Sequence, residues 1–166
     1  MSELTLILGG ARSGKTRHGE TLITALPAPW AYIATAEIFD AEMATRIERH
    51  RADRTSAGWV TIETPVELWT ALDTSLPVLV DCLTLWVSNL MHGNHDIEAS
   101  FARLENALAK RKALTFLIGN EVGLGIVPDN AMARDFRDHA GRLHQRLAAR
   151  ADSVLFMVAG LPIRVK

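Results

Sequence analysis

Eight consecutive residues near the start of the chain, Gly9, Gly10, Ala11, Arg12, Ser13, Gly14, Lys15 and Thr16, satisfy the pattern G-x-x-x-x-G-K-[ST] in full. Each residue type in that pattern has a physical reason. Glycines let the backbone turn so that successive N–H groups converge on phosphate oxygens. The helix that follows turns its positive end towards the same anion. The lysine reaches the outer phosphates, and the Thr16 hydroxyl is placed to ligate Mg²⁺. The context agrees, because the apolar run 4–8 before the motif reads as a strand and residues 14–26 after it as a helix. The basic residues add a second clue. The chain has 18 of them, and the lysines stand only at positions 15, 110, 112 and 166. The first 109 residues therefore hold one lysine, at the position the motif requires.

The rest of the chain alternates short β-rich apolar runs with helical stretches. Strands are expected at 4–8, 31–34, 59–63, 78–81, 114–119 and 153–159, with a short one at 163–165. Several are continuously apolar, as a strand buried on both faces reads. Helices are expected at 14–26, 40–51, 65–72, 97–111 and 131–149. Thr64, Pro65 and Glu67 supply a cap, a first-turn proline and a closing glutamate for the third of these, and Asp96 and Asn130 are caps for the last two. This alternation predicts an α/β fold of P-loop NTPase type, with a mainly parallel sheet covered by helices on both faces. No linker, repeat or low-complexity tract interrupts the chain, so residues 1–166 read as a single domain.

Composition narrows the function classes. Hydrophobic residues make up 48% and charged residues 22%, the balance of a globular chain with a sizeable core. The net charge of −1 argues against a nucleic-acid partner, which normally meets a basic excess. No apolar run approaches the length of a membrane span. The run 4–8 is too short for a signal peptide and lacks a basic flank. The single cysteine, Cys82, allows no disulfide within the chain, so a cytoplasmic location is expected. Cys82 follows an apolar strand and reads as a buried, inert thiol.

Two further groups are candidates for chemistry. The run 77–80 is apolar and ends in Asp81, the position from which a P-loop fold supplies a second metal-binding carboxylate. The helix ending at residues 46–54 carries Arg46, Arg49, Arg51 and Arg54 around His50. Residue types alone leave this cluster open between an anion site and a solvated basic helix end that complements the helix dipole. The pair His92 and His95 has H-x-x-H spacing but no accompanying Cys or carboxylate cluster, and reads as a polar surface loop.

At this point the sequence resembles a known family. The stretches 9–18 (GGARSGKTRH), 32–36 (YIATA), 40–47 (DAEMATRI) and 120–128 (NEVGLGIVP) are similar to the bifunctional adenosylcobinamide kinase/adenosylcobinamide-phosphate guanylyltransferases of cobalamin biosynthesis. Phe136, Arg137, Asp138, Ala140, Gly141, Arg142, Gln145, Arg146, Leu147 and the stretch 158–166 extend the resemblance over essentially the whole chain. It implies a RecA-like sheet and two reactions. The first is phosphorylation of adenosylcobinamide by ATP or GTP. The second is transfer of GMP from GTP to adenosylcobinamide phosphate, releasing pyrophosphate. It further implies a guanylylated histidine, here His50, since the position before it is Arg49. The implied nucleotide contacts are the loop 9–16, Ala34, Thr35, Ala36, Arg51, Ala52, Asp53, Arg54, Glu63 and Asp81. Mg²⁺ would sit on Thr16 and Asp81, and the assembly would be a homotrimer.

Some residues stay undecided at this level. Asn120 and Glu121 follow a buried strand at the edge where α/β sheets bind ligands. They could touch substrate or metal, or simply fix the glycine-rich loop after them. His18, His139 and His144 lie on expected helices and read as packing or surface residues. A simple kinase with no use for His50, a motor and a GTP-binding regulator are the competing functions.

Overall fold

The computed structural model describes residues 3–36 and 57–166. Its centre is one seven-stranded sheet in the order β3-β2-β4-β5-β1-β6-β7. The strands are β1 Leu4–Gly9, β2 Trp30–Ala34, β3 Trp59–Glu63, β4 Val78–Asp81, β5 Thr115–Asn120, β6 Ser153–Val158 and β7 Leu161–Arg164. The first six run parallel to their neighbours, and only β7 is antiparallel, against β6. The expected mainly parallel α/β sheet is therefore present. All the expected strands form, within a residue or two at their ends.

The helices are α1 Lys15–Thr24, α2 Leu68–Ala71, α3 Leu83–His92, α4 Ile97–Lys110 and α5 Ala131–Arg150. Alternation along each strand sends side chains to two cores. Ile7, Leu79 and Ile118 pack with Ile23 of α1 on one face. Leu6, Val80 and Leu117 pack with Leu68, Trp86, Phe101, Leu104, Leu143 and Leu147 of α2 to α5 on the other. Helices thus cover both faces. The caps on α4 and α5 are as expected: Asp96 accepts from Ala99 N–H at 2.9 Å and Asn130 from Ala133 N–H at 3.1 Å. The expected helix 40–51 lies outside the described residues.

One expectation is corrected, and one helix is added. The helix expected from residue 65 begins at Leu68 and has no side-chain cap. Tertiary partners override the local capping signal. Thr64 N–H donates to Ala34 O at 2.9 Å, while Pro65 O and Val66 O accept from Asn89 Nδ2 and Trp86 Nε1 at 2.9 and 2.6 Å. Those bonds hold residues 64–66 in a non-helical bend beside α3. Helix α3 itself was not anticipated. Leu83, Thr84, Trp86, Val87, Asn89 and Leu90 are all buried, so its sequence lacks a polar face that would mark helical period.

Candidate active site

The phosphate loop links β1 to α1 at the carboxyl edge of the sheet, where parallel sheets bind ligands. Its glycines answer specific steric demands. A Cβ on Gly9 would fall 2.7 Å from both Met157 O and Ser13 Oγ. Gly14 is left-handed at φ 93°, and a Cβ there would press on Gly160 Cα at 3.2 Å. Gly160 belongs to the two-residue β6–β7 turn, whose Ala159 and Gly160 both have positive φ, the geometry of a type I′ hairpin. That turn braces the loop through Gly160 N–H to Ser13 O at 3.0 Å. The N-terminus of α1 has no side-chain cap and no acidic residue in its first turn. Its N–H groups are left for an anion.

Lys15 is only 7% exposed, and burial lowers the pKa of its ammonium group. The side chain folds back over the loop, donating to Gly10 O at 2.6 Å and more weakly to Ser13 Oγ at 3.5 Å. With three N–H donors, this leaves bonding capacity for phosphate oxygens.

The candidate metal pair is brought together across the sheet. Thr16 Oγ1 donates to Asp81 Oδ2 at 2.9 Å although 65 residues separate them. The same carboxylate oxygen accepts from Tyr32 Oη at 2.8 Å. Tyr32 was not singled out in the sequence. It is the chain's one tyrosine, set in the apolar strand β2, and a buried tyrosine needs a hydrogen-bond partner. That signal was legible. Hard oxygen donors at this spacing suit Mg²⁺, which keeps most of its waters and takes one or two protein ligands.

The remaining expected contacts fall in different places. Ala34 and Ala36 are half-buried at the end of β2. Thr35 between them is fully buried, and its hydroxyl accepts from Cys82 N–H at 2.9 Å and donates to Cys82 O at 2.7 Å. It ties the ends of β2 and β4 together. Glu63 ends β3, four strands from β1, roughly 19 Å at about 4.8 Å per strand. It therefore stands well apart from the phosphate loop. His50, Arg51, Ala52, Asp53 and Arg54 lie outside the described residues, as do Arg46 and Arg49.

Strand β5 lies between β1 and β4, so its end stands between the phosphate loop and Asp81. Asn120 pairs in register with Gly9, and its side-chain amide donates to Thr84 Oγ1 at 3.0 Å. The Glu121 N–H donates to Gly9 O at 2.9 Å. One Glu121 carboxylate oxygen, Oε1, accepts from Gly123 N–H, and Arg137 donates to Gly123 O at 3.1 Å. Cys82 is 4% exposed and burial pushes its thiol up, in keeping with an inert side chain. His144 is also buried, with a lowered pKa caused by burial. His92 and His95 are exposed, and the described residues contain no group of three or more potential metal ligands.

Comparison with known proteins adds a family to this geometry. A sequence profile described as cobinamide kinase / cobinamide phosphate guanyltransferase matches residues 5–165. The chain is 41% identical to the bifunctional adenosylcobalamin biosynthesis protein CobU of Salmonella typhimurium, covering 98% of this chain and 99% of that one. It is 42% identical to the bifunctional adenosylcobalamin biosynthesis protein CobP of Pseudomonas aeruginosa, over 97% and 96%. The CobU of Escherichia coli is 40% identical over 98% and 99%. Among solved structures, a protein from Pyrococcus horikoshii has a similar fold, with a TM-score of 0.56 and 14% identity over 99% of this chain and 86% of that one.

Proposed function

The chain belongs to the cobinamide kinase / cobinamide phosphate guanyltransferase family, and we propose that it carries out both reactions at its single phosphate loop. It is a bifunctional enzyme of adenosylcobalamin biosynthesis, a kinase and a nucleotidyltransferase. In the first reaction ATP or GTP phosphorylates the alcohol of adenosylcobinamide. In the second, GMP passes from GTP to adenosylcobinamide phosphate. Residues 1–166 act as one cytoplasmic domain. No helix among the described residues is long and apolar enough to cross a membrane.

The observation that carries this reading is the meeting of Lys15, Thr16 and Asp81 at the carboxyl edge of the sheet. The loop amides and the open end of α1 hold the β-phosphate, and Lys15 brings its remaining donor to the outer phosphates. Thr16 and Asp81 hold Mg²⁺, which when bound supplies charge neutralisation of the phosphate oxygens. In the kinase step the loop stabilises the nucleoside diphosphate leaving group. In the guanylyl step the same cradle stabilises pyrophosphate. One cradle serves both because each reaction expels a phosphate chain bound in the same place.

His50 is the covalent GMP acceptor in this proposal. Direct attack of a phosphate monoester on GTP brings two anions together, whereas a neutral imidazole avoids that repulsion and divides the transfer into two easier steps. Arg51, Ala52, Asp53, Arg54, Ala34, Thr35, Ala36 and Glu63 complete the nucleotide contacts. The chain assembles as a homotrimer. Leu161 and Ile163, exposed on the edge strand β7, and Val165 just after it support self-association. Mass spectrometry after incubation with GTP and Mg²⁺ tests the central claim. A GMP adduct on His50 is expected, lost in His50→Ala while much of the kinase activity remains. The same adduct in His50→Ala would overturn the assignment.

A further inference from the structure

The kinase step has a requirement that the phosphate-binding groups do not meet. Its acceptor is an alcohol, and the hydroxyl proton must leave as the oxygen bonds to phosphorus. Lys15 is a cation and cannot take it. Three carboxylates stand at strand ends on the carboxyl edge among the described residues: Glu63 ending β3, Asp81 ending β4 and Glu121 just after β5. Asp81 already accepts from Thr16 and Tyr32 and belongs to the candidate metal pair. Glu63 lies three strands beyond β5, roughly 14 Å at about 4.8 Å per strand. Glu121 is different on both counts. It follows the strand wedged between the phosphate loop and Asp81, and its N–H is fastened to Gly9 O at 2.9 Å. Its carboxylate is steadied through Oε1 by the Gly123 N–H, and Gly123 is in turn held by Arg137. A carboxylate fixed through one oxygen keeps lone pairs on the other for a proton in flight.

We propose that Glu121 is the general base of the kinase step, a reading that rests on the two-reaction function above. The acceptor oxygen bonds to the γ-phosphorus, and the bond from that phosphorus to the β–γ bridging oxygen breaks. The nucleoside diphosphate leaves with that electron pair. The hydroxyl proton passes to the Glu121 carboxylate. The guanylyl step needs no such group, because the neutral His50 imidazole attacks GTP through a lone pair and the phosphate monoester that then takes GMP is already ionised. The two activities should therefore part at this residue.

The experiment is Glu121→Gln, with kinase turnover on adenosylcobinamide and guanylyl transfer to pre-formed adenosylcobinamide phosphate measured separately. The glutamine amide oxygen can still accept from Gly123, so the loop keeps its support. Kinase kcat is expected to fall by about 10²–10⁴-fold with acceptor KM within about threefold. Guanylyl transfer is expected to stay near the wild-type rate, which also shows that the variant is folded. Near-normal kinase turnover, or an equal loss of both activities as loop support alone would give, overturns the proposal. Absence of guanylyl transfer from the unsubstituted protein would instead overturn the function on which it rests.

Discussion

Lys15 and Arg111 are buried cations at opposite edges of the same sheet, and they do opposite things. Both are less than a tenth exposed, and burial lowers the pKa of each. Lys15, at the carboxyl edge, has one short bond and one long one, and it opens the helix whose N-terminus has no side-chain cap. Arg111, at the amino edge, uses four of its five donors. Its Nε donates to Thr115 Oγ1 at 2.8 Å, and its two terminal nitrogens donate to Leu72 O, to Thr74 O at 3.0 Å and to Leu76 O at 2.8 Å. Those carbonyls belong to the turn between α2 and β4, so Arg111 plugs the bottom of the fold. A perturbed, buried cation does not by itself mark a site. The surroundings do: Lys15 lies at the uncapped N-terminus of α1, whereas Arg111 spans the carbonyls of one turn.

The largest effect should come from breaking the plug. Arg111→Ala removes the side-chain donor from three carbonyls of the α2–β4 turn, of which, among the described residues, Leu72 O alone keeps a second donor, Thr74 N–H. About 3–5 kcal/mol of stability should be lost, with the unfolding midpoint lowered by about 10 °C or more. Thermal unfolding followed by circular dichroism measures this, and kinase turnover per folded molecule should stay near wild type. A loss below about 1 kcal/mol would mean that Arg111 is not structural in this sense.

Lys15→Ala should give the mirror image. Turnover in both reactions should fall by about 10²–10³-fold through loss of charge stabilisation on the transferring phosphates. The unfolding midpoint should hold or rise, since a desolvated cation has been removed. Normal rates for either reaction would break the assignment of one loop to both.

The smallest test concerns the carboxylate that Lys15 faces across the site. Tyr32→Phe removes one of the two hydrogen bonds that orient Asp81, a change of about 1 kcal/mol. A roughly fivefold higher Mg²⁺ concentration for half-maximal kinase rate is expected from that energy. An unchanged Mg²⁺ titration would show that Thr16 alone fixes the carboxylate.

The sequence by itself determined the phosphate loop, the parallel sheet and the family, because these rest on local patterns. A loop of Gly9, Gly14, Lys15 and Thr16 has few other uses, and buried parallel strands such as Val78–Asp81 are continuously apolar. It also marked the caps Asp96 and Asn130, whose partners lie three residues away. Tertiary structure decided whatever depended on distant partners. Helix α3 buries six of its ten residues, and its exposed side is led by the apolar Leu85, so no polar stripe announced it. The capping signal at Thr64 yielded to bonds from Ala34, Trp86 and Asn89. Thr16, Tyr32 and Asp81 meet only because strand order sets β2 beside β4 and α1, which follows β1, packs back over β4 and β5. The same order wedges Glu121 between phosphate and metal groups. Local chemistry is written in short windows of sequence, whereas the crossing of strands is fixed by how two apolar faces are buried at once.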